Sequence, residues 1–229
     1  MSAACGPASP MQSPDGSNCS PRLPSEIAQR WAAILVQLSG STLKLIGEEN
    51  LLRHSVAVYA ANHTSYMDTP VIFASLPFQF RILAKKELWP MAFIGWYLAR
   101  SGQIPIDTVN THATLSSLGV GVKALRAGML LFVFPEGGRT SNGEMQPFLA
   151  GAAYLAIRAQ VPLVPIALSG VYDLLPIHTR HFYPGPLSLT VGEPISTAGL
   201  TPRHTDELTA RLRGAIEAML APVGIAQLR

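Results

Sequence analysis

Apolar and polar positions along this chain follow two rhythms, one helical and one alternating, and the rhythm switches repeatedly. Ile27, Trp31, Ile34, Leu35 and Leu38 recur at helical spacing, so a helix is expected after Pro24, ending at Gly40. Leu43-Lys44-Leu45 alternates as a short strand, with a turn through Gly47-Glu48-Glu49-Asn50. Val56 to Ala60 (VAVYA) is a buried strand leading straight into Asn62-His63. Pro70 to Leu76 opens a helix, since proline is tolerated in a first turn, and Phe80 to Ala84 is a further strand. Gln103 to Ile106 is a short strand, and Thr111 to Arg126 a helix closed by Gly128. Met129 to Phe134 (MLLFVF) is apolar throughout, as a strand covered on both faces is. Gly151 to Gln160 is a helix and Val161 to Leu168 a strand; Leu187, Leu189 and Val191 alternate as a late, more exposed strand. From Pro202 to Leu220, Leu208, Leu212, Ile216 and Met219 form the stripe of a closing amphipathic helix.

Strands interleaved with helices predict an α/β fold: a mixed, largely parallel central sheet flanked by helices. The 229 residues suit one domain with one core. Residues 1–24, rich in Ser, Pro and Gly, are expected to be a flexible leader without a signal peptide. Residues 25–41 are expected to form an amphipathic, membrane-associating helix, and 42–229 the main domain.

Composition sharpens the membrane question. Hydrophobic residues make up 48% and charged residues only 14%, so the apolar excess needs a large core, a partner or a bilayer. No stretch of 18 apolar residues occurs, so a membrane span is not expected. Trp31 to Leu38 and Leu88 to Leu98 are the shorter lipid candidates; the second carries Trp89, Trp96 and Tyr97, aromatic residues that favour the bilayer interface. Ordinary core-facing helices are the alternative for both. The net charge of +3 suits an anionic surface or a phosphorylated substrate. The sharpest basic cluster, Lys85-Lys86, is only a pair, so nucleic acid is not an expected partner. Cys5 and Cys19 both lie in the leader, so neither a structural disulfide nor a thiolate metal site is expected.

Two segments carry candidate chemistry. Asn62-His63-Thr64-Ser65-Tyr66-Met67-Asp68 follows an apolar strand, where open α/β sheets build ligand sites. An Asp five positions after a His can accept from one ring nitrogen and leave the other free to take a proton. Such a base can deprotonate a hydroxyl as it attacks a thioester. The plain alternative is a loop histidine with a satisfied ring. Phe134-Pro135-Glu136-Gly137-Gly138-Arg139-Thr140 also follows an apolar strand. Gly137 and Gly138 allow close backbone approach, Arg139 offers a fork for phosphate or carboxylate, and Glu136 can accept from substrate hydroxyls. A polar turn with a surface arginine is the alternative there. No Gly-x-Ser-x-Gly elbow, P-loop or Gly-x-Gly-x-x-Gly fingerprint is present. His54, His112, His178, His181 and His204 are scattered, and no metal site is expected.

Together the two segments resemble the motifs of the 1-acyl-glycerol-3-phosphate acyltransferases and the wider glycerolipid acyltransferase superfamily. The family's Asn-His-x4-Asp matches Asn62, His63 and Asp68. Its Phe-Pro-Glu-Gly-x-Arg-Ser matches Phe134, Pro135, Glu136, Gly137 and Arg139, with Thr140 for Ser. Its Val-Pro-x-x-Pro matches Val161 to Pro165. Ala84-Lys85-Lys86-Glu87-Leu88 is similar to its Lys-Glu-Leu segment, and Pro147-Phe148 with Gly151-Ala152-Ala153 to the sequel of its third motif. The likeness runs from about Leu43 to Ile195. Two departures stand out: Thr108 replaces an arginine that the family assigns to acceptor binding, and Gly138 replaces a frequent Thr.

The resemblance implies that 42–229 is an acyltransferase domain of a peripheral or monotopic protein on the cytoplasmic membrane face. It implies His63 as base, Asp68 as its partner, and Asn62, Lys86, Glu136, Gly137, Gly138 and Arg139 as substrate contacts. The expected donor is acyl-CoA or acyl carrier protein, as substrate rather than cofactor, and the acceptor a lysophospholipid, first 1-acyl-glycerol-3-phosphate. A sister acyltransferase for another lysolipid, such as a lyso-aminolipid, is the alternative that Thr108 motivates. A non-catalytic lipid-binding relative is the second.

Overall fold

A computed structural model of the chain describes residues 22–51, 55–107, 110–177, 179 and 181–221. The strands are β1 (Thr42–Ile46), β2 (Val58–Ala61), β3 (Phe80–Lys85), β4 (Ile104–Ile106), β5 (Leu130–Val133), β6 (Leu163–Ser169) and β7 (Pro186–Val191). They form one seven-stranded sheet in the order β1-β7-β6-β2-β5-β3-β4. From β6 through β2, β5 and β3 to β4 the neighbours are parallel; β7 runs against β6, and β1 runs parallel to β7. The mixed, largely parallel sheet is therefore as expected, and its minority direction sits at the β1 edge.

The helices are α1 (Arg22–Leu38), α2 (Asp68–Ser75), α3 (Ala92–Arg100), α4 (Thr111–Arg126), α5 (Gly151–Ala159), α6 (Val171–Leu174) and α7 (Thr205–Leu220). The pleat of β2 sends Tyr59 and Ala61 to one face and Val58 and Ala60 to the other. The first face packs α1 and α2, with Tyr97 of α3 at its margin; the second packs α4, α5 and α7. Both faces of β2 are covered, which is why its sequence is apolar without alternation. α4 begins where Asn110 Oδ1 accepts from Ala113 N–H at 3.1 Å. α5 stops one residue before expected: Gln160 takes the left-handed conformation (φ 55°), and its Nε2 donates to the Ile157 and Leu200 carbonyls. The closing helix is also divided, a 3-10 turn at Pro202–His204 preceding α7.

Two expectations change in three dimensions. β7 is less exposed than expected: it lies between β1 and β6, with Leu187, Leu189 and Val191 buried. α1 buries small residues, Ala28 and Ala32, together with Val36, while Ile27, Trp31, Ile34 and Leu38 are exposed. Of the large apolar residues that set its rhythm, Leu35 packs against the core and the other four face outward. No helix among the described residues is long and apolar enough to cross a membrane. The expected leader, apart from the start of α1, and both cysteines lie outside the described residues.

Candidate active site

β2 and β5 are neighbours in register, Ala60 beside Val133, and both run toward the same end of the sheet. The loops that follow them must meet there, although they are some 70 residues apart in sequence. Asn62 anchors the first loop. Its Nδ2 donates to the Leu168 carbonyl at 3.0 Å and its Oδ1 accepts from Leu168 N–H at 2.8 Å. The carboxamide thus continues the pairing with β6 that the backbone has left, and the residue is buried.

His63 is held from both sides by the second loop. Its N–H donates to Glu136 Oε1 at 2.6 Å, and its carbonyl accepts from Thr140 N–H at 3.1 Å. The imidazole stacks on Phe134, with ring centroids 4.0 Å apart and planes 19° from parallel. Asp68 is the first residue of α2 and fully buried. Its Oδ2 lies 2.8 Å from His63 Nδ1 and also accepts from Thr64 N–H at 2.6 Å and Ser65 N–H at 2.9 Å. An ionised carboxylate only accepts, so Nδ1 carries the hydrogen and Nε2 the lone pair. Nε2 makes no hydrogen bond to a described residue, on a side chain that is 20% exposed. Ser65 Oγ ties this loop to the Leu175 carbonyl at 2.8 Å.

The second loop is built around the Glu136 carboxylate. Oε1 takes His63 N–H, and Oε2 takes Gln146 N–H at 2.7 Å. Burial pushes the carboxyl pKa above its ordinary value, while these two donors pull it down. Gly137 has φ 69°, a conformation that L side chains avoid, and a Cβ there would come within 2.8 Å of Leu149 Cδ1. The Arg139 guanidinium lies 3.6 Å from the Tyr66 ring centroid, a cation–π contact that joins the two loops.

The lysine pair divides. Lys86 Nζ is 2.5 Å from Asp107 Oδ2, and that hydrogen bond raises its pKa. Lys85 Nζ instead lies 3.7 Å from where a Cβ of Gly138 would stand. Thr108, the departure from the family motif, lies outside the described residues. Among the described residues, no group of three or more His, Cys, Asp or Glu side chains is arranged to hold a metal ion.

A buried carboxylate orienting a histidine, beside a glycine-rich loop with an arginine, is a constellation that comparison with known proteins can test. The pattern of the family described as Acyltransferase matches residues 42–169, from β1 to the end of β6. The chain belongs to the acyltransferase family. It is 30% identical over 194 residues to the 1-acyl-sn-glycerol-3-phosphate acyltransferase of Saccharomyces cerevisiae, covering 83% of this chain and 64% of that protein. It is 34% identical over 177 residues to the human 1-acyl-sn-glycerol-3-phosphate acyltransferase alpha, covering 77% of this chain and 62% of that one. The chain thus spans under two thirds of the length of these curated relatives. The crystal structure of the 1-acyl-sn-glycerophosphate acyltransferase PlsC from Thermotoga maritima superposes with a TM-score of 0.76 at 23% identity. That match covers 87% of this chain and 79% of the other and establishes the likeness of fold.

Within this acyltransferase fold, His63, Asp68, Gly137, Gly138 and Arg139 come together at the ends of β2 and β5. Asn62 and Glu136, expected as substrate contacts, have their side chains engaged by the backbone of neighbouring loops and strands. Lys86 is engaged by Asp107. Tyr66, Phe134 and Gln146 belong to the site as well. Tyr66 and Phe134 stood inside recognised motifs, but their partners are too distant in sequence for spacing to reveal.

Proposed function

We propose that this chain transfers a fatty acyl group from a thioester, acyl-CoA or acyl carrier protein, to the free hydroxyl of 1-acyl-glycerol-3-phosphate, giving phosphatidate. The observation that carries the proposal is the imidazole fixed by Asp68 with Nε2 unengaged. The names of the relatives support the acceptor. As the acceptor oxygen attacks the thioester carbonyl, His63 Nε2 takes its proton, and Asp68 stabilises the imidazolium through Nδ1–H. A tetrahedral oxyanion forms; its collapse breaks the C–S bond, and the imidazolium returns the proton to the thiolate. For the oxyanion we assign the N–H groups of Gly138 and Arg139, which donate to no described residue. Arg139 and Lys85 would receive the acceptor phosphate. With Lys86 bound to Asp107, a lysolipid with a different head group, for example a lyso-aminolipid, is the second reading.

On this proposal the protein is peripheral or monotopic. α1 rests in the cytoplasmic leaflet, where acyl thioesters are found, with Ile27, Trp31, Ile34 and Leu38 as its lipid face. The test supplies the purified protein with palmitoyl-CoA and lysophosphatidate in mixed micelles and follows CoA release. Release that needs the acceptor and drops about 100-fold or more in His63→Ala, with unchanged circular dichroism, supports the mechanism. Undiminished release from that variant overturns the base assignment. Release with other lysolipids but not with lysophosphatidate moves the acceptor to the second reading.

A further inference from the structure

Tyr66 differs from its neighbours in the first loop. Ser65 and Met67 are buried on either side of it, while Tyr66 itself is 59% exposed. The backbone beneath it is held firmly. Ser65 N–H donates to Asp68 Oδ2 at 2.9 Å, Ser65 Oγ donates to the Leu175 carbonyl at 2.8 Å, and Met67 N–H donates to Ser65 Oγ at 3.2 Å. The ring thus stands on a fixed stem, and the core does not account for it. What it touches is Arg139, whose Cζ lies 3.6 Å from the ring centroid.

At that distance the two groups are already in van der Waals contact, since carbon atoms pack best at about 3.5–4.0 Å. No N–H fits between Cζ and the ring, so the guanidinium lies flat on the aromatic face. Its N–H donors all lie in its own plane and therefore point along the ring, not into it. The backbone of Arg139 is fixed as well. Its carbonyl accepts from Gln146 Nε2 at 3.2 Å, and the next residue, Thr140, donates its N–H to the His63 carbonyl at 3.1 Å. Among the described residues the guanidinium has no carboxylate partner. Lys86 shows the opposite arrangement, with its ammonium bound to Asp107.

This difference matters for an anionic ligand. A carboxylate would compete with phosphate for the guanidinium N–H groups, whereas an aromatic face occupies none of them. A long arginine side chain loses rotamer freedom when it grips a ligand. A ring that already holds the guanidinium makes that loss smaller, because the fork is oriented before the ligand arrives.

We propose that Tyr66 is a positioning residue for the acceptor: its ring holds Arg139 flat, with the donor edge free for the phosphate monoester of the lysolipid head group. The inference rests on the reading of Arg139 as the phosphate contact, and the experiment separates the two.

Calorimetry on the full chain measures the affinity for 1-hexanoyl-glycerol-3-phosphate with no thioester present, so turnover does not contribute. The variants are Tyr66→Leu, Tyr66→Phe, Arg139→Gln and the double variant Tyr66→Leu/Arg139→Gln, each checked for an unchanged melting temperature. Tyr66→Leu is expected to weaken binding about threefold or more, and Tyr66→Phe, which keeps the aromatic face, to stay within about twofold of the parent. Arg139→Gln should weaken binding about tenfold or more, and Tyr66→Leu should add nothing once Arg139 is gone. An equal loss from Tyr66→Leu with and without Arg139 would overturn the proposal, because the ring would then act on the ligand independently. A loss from Tyr66→Phe as large as that from Tyr66→Leu would also overturn it, assigning the effect to the hydroxyl. If Arg139→Gln weakens binding and Tyr66→Leu does not, the positioning role fails while Arg139 remains the phosphate contact. If Arg139→Gln changes nothing, that contact fails and the positioning role with it.

Discussion

Asp68 gathers three donors on one oxygen: the His63 ring and the N–H groups of Thr64 and Ser65. The carboxylate therefore shapes the loop as well as the base. In Asp68→Asn the amide oxygen can keep those contacts, but without the charge. Turnover should fall about 100-fold or more, because the imidazolium loses its counter-charge. Unfolding should become easier by about 1.5–3 kcal/mol, the range for a charged hydrogen bond, as read from urea denaturation. A variant with lost activity and undiminished stability would mean that the loop holds itself without the charge. The two adjacent lysines give a sharper residue-scale test. Lys85→Ala should raise the acceptor KM, since Lys85 stands beside Gly138. Lys86→Ala should change it less, because Lys86 is bound to Asp107. Steady-state kinetics on the pair decides, and the reverse order would assign the head group to Lys86.

At the scale of elements, the site exists because β2 and β5 are parallel neighbours and Glu136 bridges the loops that leave them. The bridge should have a pH signature. Burial raises the Glu136 pKa above its unfolded value, so near that range the folded chain keeps a proton that the unfolded chain has released. The unfolded state then binds fewer protons, and this group's contribution to stability declines as pH rises through the window from the ordinary carboxylate value to the raised one. The contribution is complete below that window. Glu136→Gln should remove this component from the pH dependence of the unfolding midpoint. It should also lower turnover, because an amide cannot accept from both His63 N–H and Gln146 N–H. An unchanged stability–pH profile would show that Glu136 titrates as an ordinary carboxyl.

At the scale of the whole molecule, the α1 side turns large apolar residues away from the core. Trp31 is 54% and Leu38 76% exposed on α1, while Ala28 and Ala32 beneath them close against the sheet side. Trp31→Ser with Leu38→Ser should reduce sedimentation with phosphatidylglycerol-containing vesicles several-fold. The melting temperature should stay nearly constant, since exposed side chains contribute little to folding. Loss of stability without loss of vesicle binding would instead make this face part of a protein contact. α3 extends the pattern with exposed Ile94 and Trp96.

Much of this was written in the sequence. Unbroken apolar runs marked β2 and β5 because strands covered on both faces need no polar side. The spacing of His63 and Asp68 was enough for a local hydrogen bond across one turn. Local chemistry of that kind depends on neighbours in the chain, so it can be read from the chain. Strand order cannot be read that way. It placed β7 inside the sheet, brought Glu136 under His63 and Arg139 over Tyr66, and separated Lys85 from Lys86. It also turned Asn62 and Glu136, which look like ligand groups in a motif, into buried acceptors and donors for distant backbone. A buried polar side chain takes whichever partner the fold brings within 3 Å, and only the packed sheet decides which partner that is.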